Sequence, residues 1–112
     1  MVFFDYNDGV TKPISPAEAV DASLDEALRI LRKLRRERSF LGVILPNDRV
    51  LQLYVTEPRV LWLEVLDRRV RQTEGSLVSL PIAEAALHAC YEGKDLKATL
   101  APYLLAWKVD RL

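Results

Sequence analysis

Apolar positions change period twice along the chain. Val20, Leu24, Ala27, Leu28, Leu31 and Leu34 recur every three or four residues, the spacing of one helical face. Ser15-Pro16-Ala17-Glu18 precedes them with a serine cap, a proline suited to the first turn and a glutamate three residues after the serine. The pattern predicts a helix over 15–38, after an extended lead-in over 1–14. Beyond it the period falls to two. Phe40–Leu45, 50–55 and 60–66 are short runs rich in branched and aromatic residues, separated by Pro46-Asn47-Asp48-Arg49 and Glu57-Pro58-Arg59. They predict an antiparallel meander over 40–73. Its last strand is 69–73, which Glu74-Gly75-Ser76 is expected to break.

Burial selects a register within the meander. Pairing Leu51 with Val65, Leu53 with Leu63 and Val55 with Leu61 gathers six aliphatic side chains on one face. The opposite face then pairs Gln52 with Glu64 and Tyr54 with Trp62. A slip of one residue would mix the two sets. A two-residue turn at Asn47-Asp48 would add Phe40 and Ile44 to the aliphatic face. Leu41, Val43 and Leu45 would then be apolar on the other side, calling for cover by the tail or by a partner. Ser79-Leu80-Pro81 opens a second helix over 80–92, with Gly93 as its stop and Ile82, Ala85, Ala86, Ala89 and Cys90 as a narrow seam. The tail, 94–112, carries a possible helical turn over 95–100. A last strand or docked segment over 103–109 follows, anchored by Trp107. The expected fold is α+β, an antiparallel sheet of four to five strands with two helices on one face, in a single domain spanning 1–112.

Composition narrows the function. The chain has 112 residues, half of them hydrophobic and 29% charged, which suits one packed core. A lone cysteine, Cys90, forms no internal disulfide, and a lone histidine, His88, builds no multi-histidine metal site. No apolar run approaches the ~20 residues that span a bilayer, and the start lacks the basic head of a signal peptide. The expected compartment is the cytoplasm, with no membrane partner. Four isolated glycines form no phosphate loop. Cys90 and His88, two apart on a helix, point about 200° from each other, so a Cys–His nucleophile pair is poorly supported. These readings favour a protein that is not an enzyme.

Charge is balanced overall, with 16 basic and 16 acidic residues, but it is unevenly placed. Residues 1–28 carry −5 and residues 29–38 carry +5. Acids first and bases last suit the macrodipole of the first helix. The zero total argues against a dedicated nucleic-acid binder, so no direct nucleic-acid partner is expected. The basic cluster remains a candidate electrostatic contact.

The order of parts carries a resemblance. Ser15-Pro16-Ala17-Glu18 leads the first helix, Trp62-Leu63-Glu64-Val65 fills a strand, and Leu80-Pro81 with Glu84 opens the second helix. Tyr91-Glu92-Gly93-Lys94-Asp95 and Trp107 complete the set. This pattern resembles the small immunity proteins of bacterial polymorphic toxin systems, in particular the family often encoded beside deaminase-type toxins. The resemblance implies a protein that binds a cognate toxin domain and blocks its active site, with no cofactor and no metal. Tyr54 and Trp62, with acids Glu57, Glu64 and Asp67, are the expected partner-binding residues, because aromatic anchors and complementary charge are what a protein interface uses. The alternative reading is a small homodimeric chaperone or adaptor for a secreted protein. A nucleic-acid binder using 29–38 and a small enzyme using Cys90 and His88 are weaker alternatives.

Overall fold

A computed structural model describes residues 1–111. It is an α+β fold whose antiparallel sheet has six strands in the order β1-β2-β3-β4-β5-β6. The strands are β1 (Val2–Asp5), β2 (Phe40–Leu45), β3 (Arg49–Glu57), β4 (Val60–Asp67), β5 (Gln72–Ser79) and β6 (Lys108–Arg111). The helices are α1 (Leu24–Lys33), α2 (Leu80–Tyr91) and the short α3 (Leu96–Leu100). The sheet therefore has more strands, and the fold one more helix, than the sequence pattern indicated. The strand outside the expected set is β1, from the lead-in; in the tail α3 falls on the expected 95–100 turn, and β6 starts later, at Lys108, than the 103–109 expected for a last strand or docked segment.

The first helix is shorter than 15–38. Ser15 and Glu18 do meet, Oγ donating to Oε1 at 3.0 Å, but they hold only a 3-10 turn over Pro16–Glu18. The helix begins at a second box. Ser23 Oγ accepts from the Glu26 N–H at 3.1 Å, and Glu26 Oε1 accepts from the Ser23 N–H at 3.3 Å. The intervening chain is spent on β1. Val20 and Val2 exchange backbone hydrogen bonds of 2.8 and 2.9 Å, and Ile14 and Phe4 exchange another pair of 2.8 and 3.0 Å. Those bonds satisfy groups that a bare sheet edge would leave open, and a continuous helix could not supply them. α1 stops at Lys33, where Leu34 turns extended and buries its side chain.

The β3–β4 register is the expected one, with Leu51 opposite Val65, Leu53 opposite Leu63 and Tyr54 opposite Trp62. The β2–β3 register differs by one residue. Leu45 faces Arg49 across a three-residue loop, with Asn47 and Asp48 both at positive φ. That single step reverses the faces of β2. Leu41 and Val43 enter the core, whereas Phe40 and Ile44 join Tyr54 and Val50 on the outer face. β5 also departs from the expected 69–73. Residues 68–71 form the turn, and Glu74, Gly75 and Ser76 lie inside the strand rather than ending it.

One core joins the helices to the inner face of the sheet. Leu31 of α1, Leu87 of α2 and Leu100 of α3 pack with Leu41, Leu51, Leu53 and Leu63, all essentially inaccessible to water. Burying a leucine side chain contributes about 1.5–3 kcal/mol. α2 buries Ala86 and Ala89 of the expected seam and adds Ala83 and Leu87, while Ile82, Ala85 and Cys90 are partly buried against the core. Its small residues allow close approach to the sheet. Arg32 joins α1 to α2 through Glu84 at 2.7 Å, and the Tyr91 hydroxyl donates to Ala22 O at 2.9 Å. No helix is long and apolar enough to cross a membrane among the described residues.

Candidate functional site: the open face of the sheet

All three helices pack into the core cluster on one side, which leaves the other face of the sheet without helical cover. Cross-strand pairing arranges that face in rows. One row runs Phe40, Tyr54, Trp62, Leu77 across β2 to β5. Beside it runs Phe3, Gly42, Gln52, Glu64, Gly75, Lys108 across the whole sheet. A third row holds Ile44, Val50, Leu66, Thr73 and Asp110. Alternation along each strand forces these residues to share one side.

The two glycines of the middle row are covered by aromatic rings from the same row or its neighbour. A β-carbon at Gly42 would fall 2.0 Å from Phe3 Cζ, and one at Gly75 would fall 2.4 Å from Trp62 Cζ2. Phe3 is thereby buried, with its ring set edge-on to Phe40 at 6.1 Å. Trp62 stays half-buried, and its indole N–H donates to Glu64 Oε2 at 3.0 Å. Tyr54 stands opposite Trp62. Burial, and then the nearby Glu64 charge, raise the Tyr54 hydroxyl above its ordinary pKa, so it remains a neutral donor. Around this centre Ile44 is 41% and Leu77 is 56% exposed. The face thus combines aromatic rings with polar tips, a carboxylate held against one ring, and exposed aliphatics at the margin.

Of the five residues singled out from the sequence, Tyr54, Trp62 and Glu64 converge here. Glu57 lies exposed at the end of β3, beyond a register shift after Val55, and marks the rim. Asp67 is elsewhere. Alternation along β4 puts it with Leu63 and Val65, and it lines a cavity of about 500 Å³ on the helical side. There it accepts the Arg69 N–H at 3.0 Å. Phe40, Ile44 and Leu77 belong to the open face and were not among the expected contacts. For Phe40 and Ile44 the only signal is loop length, because Pro46-Asn47-Asp48 suits a three-residue connection as well as a two-residue one.

The cavity near Asp67 also holds Cys90 but not His88. Cys90 is at its wall, and burial pushes its thiol up to about 11, with Arg49 opposing. At neutral pH it is a protonated, weak nucleophile. His88 is exposed and lies 3.6 Å from Glu92, on the far side of α2 from that wall. Glu74 pairs with Lys97, which also stands 5.6 Å over the Trp107 ring. Trp107 closes this side of the core, as its position in the tail suggested. Among the described residues no group of three His, Cys, Asp or Glu side chains is placed to hold a metal ion. No protein-family model, no curated protein and no solved structure matches the chain.

Proposed function

We propose that the protein is an immunity-type inhibitor that binds a toxin domain through the open face of its sheet. The observation carrying this reading is the row Phe40, Tyr54, Trp62, Leu77, uncovered by any helix and bordered by Glu64. Large rings offer much contact area at low entropic cost, and their hydroxyl and N–H tips fix orientation. Glu64 and the rim acid Glu57 suit a basic cleft of the kind that nucleic-acid-directed toxins present, and such complementarity speeds encounter. Blocking a cleft requires a rigid surface, and the glycine-backed rings supply one. Asp67 is not part of this surface. The resemblance in Ser15–Glu18, Trp62–Val65 and Leu80–Glu84 favours the same reading.

The test is co-expression with the toxin domain encoded beside the gene, read as survival and as a purified complex. The wild type should protect. Trp62→Ala and Leu77→Ala should lose protection while keeping the circular dichroism of the parent. Protection by both variants would overturn the assignment of this face. A homodimeric chaperone would bury the same face against a second copy, and Leu77→Ala would then convert a dimer to a monomer in light scattering. The inhibitor reading, which allows a homodimer, expects Leu77→Ala to leave the oligomeric state unchanged.

A further inference from the structure

The basic cluster at 29–38 is not used by the proposed interface, and the end of α1 changes what it is. Because the helix stops at Lys33, Arg35 and Arg36 leave the helical surface and enter a loop that folds against residues 6–11. Lys33, Arg35 and Arg36 line one hollow of about 300 Å³ together with Tyr6, Asp8 and Thr11. We propose that this hollow is a binding site for a single phosphate monoester group of a small molecule.

Charge supplies the first argument. Three cations line the hollow, and among the described residues none has a carboxylate within ion-pair reach. The one acid present, Asp8, stays ionised but spends its oxygens on its own loop, so the hollow carries three positive charges against one negative. Asp8 Oδ1 accepts from the Val10 and Thr11 N–H groups at 2.9 and 2.7 Å, and Oδ2 accepts from Thr11 Oγ1 at 2.8 Å. Three neighbouring cations without partners repel one another, and a dianion relieves that repulsion.

Rigidity supplies the second. The loop is fastened by the buried Leu34 before its arginines and by hydrogen bonds just after them. Asn7 Nδ2 donates to Glu37 O at 2.8 Å, and the Arg38 N–H donates to Val55 O at 3.0 Å. Arg36 O, a carbonyl that would repel an anion, is taken by the Ser39 N–H at 3.1 Å and by the buried Ser39 hydroxyl at 2.5 Å. The backbone that carries the cations is therefore set before a ligand arrives, which lowers part of the ordering cost of binding. Tyr6 lines the same hollow and brings a hydroxyl that can donate.

The shape of the charge distribution selects a monoester over a polymer. A nucleic-acid backbone needs a basic track along which several phosphates are neutralised. Here only three of the cations of 29–38, Lys33, Arg35 and Arg36, line the hollow, enough for one phosphate group but not for a track of several.

Amide resonances provide the test, with inorganic phosphate and phenyl phosphate titrated at constant ionic strength. Both should saturate, with shifts concentrated at Tyr6, Thr11, Arg35 and Arg36. Lys33→Gln with Arg35→Gln and Arg36→Gln should weaken binding at least tenfold. Arg29→Gln, which removes a charge outside the hollow, should leave it unchanged. Equal shifts with sodium chloride, an equal loss in Arg29→Gln, or retained affinity in the triple variant would overturn the site. Tighter binding of a single-stranded oligonucleotide than of phenyl phosphate would replace the monoester with a polymer backbone.

Discussion

Trp62 lies across Gly75 on the open face of the sheet, so that a β-carbon at Gly75 would stand only 2.4 Å from Trp62 Cζ2. The glycine gives up side-chain packing of its own and lets the indole press against the strand, with its N–H held by Glu64 at 3.0 Å. Covering a strand glycine with a neighbouring ring is a known way to recover the stability that glycine costs. Here it also fixes the ring that the proposed interface uses.

Gly75→Ala should therefore displace the indole. The expected cost is about 1–3 kcal/mol, the usual range for overpacking. In a Trp107→Phe background, emission from Trp62 should shift to the red and the Glu64 contact should be lost. Chemical denaturation and fluorescence check both. An unchanged spectrum would mean that the ring does not rest on Gly75.

Stability and binding should separate on the two faces of the sheet. Leu63, inaccessible on the inner face, should cost about 2–5 kcal/mol as Leu63→Ala. Leu77 is 56% exposed, and Leu77→Ala should change stability by less than about 0.5 kcal/mol. Partner affinity should respond to Leu77→Ala, provided the outer face is the interface. Denaturant midpoints and a binding titration give the comparison.

The start of α1 can be located by capping. Ser23→Ala should cost about 1 kcal/mol, as expected for loss of a serine cap. Ser15→Ala removes no helix cap and should have a smaller effect. The Glu26 carboxyl is held below its ordinary range by the Ser23 N–H and hydroxyl, so it should titrate at higher pH in Ser23→Ala. An NMR titration reads this directly. If the two serine variants were equal, the helix would start elsewhere.

Alkaline pH should expose Cys90. Burial raises its thiol from 9.0 to about 11 in the folded chain. Between those values the folded state binds more protons than the unfolded state, so stability should fall as pH rises from about 9 to 11. Cys90→Ala should remove part of that fall. Tyr6, Tyr54 and Tyr91 are also raised, chiefly by burial, and should account for a further part at the upper end. The same burial should make Cys90 react slowly with a disulfide reagent near pH 8.

Alternation and the short Glu57-Pro58-Arg59 connection determined the β3–β4 ladder. Leu51, Leu53, Val55, Leu61, Leu63 and Val65 share the inner face in this register, which a slip of one residue would destroy, and the register also set Tyr54 beside Trp62 with Glu64 on their face. That much of the candidate surface is a property of local order in the chain, because a period of two has no third option. The rest needed the tertiary structure. Whether Phe40 and Ile44 faced inward depended on one residue in a loop, and Asn47 and Asp48 tolerate the backbone of either connection. Ser15-Pro16-Ala17-Glu18 and Ser23-Leu24-Asp25-Glu26 both carry serine with glutamate three residues on. The open edge of β1 decided between them, since Val20 and Ile14 were required as its hydrogen-bond partners. Gly75 reads as a strand breaker until Trp62 is seen to cover it. Lys33, Arg35 and Arg36 read as a solvated helix face until the helix ends and the loop is tied to Asn7 and Val55. In each case the local signal was real but degenerate, and the choice was made by contacts between residues distant in sequence.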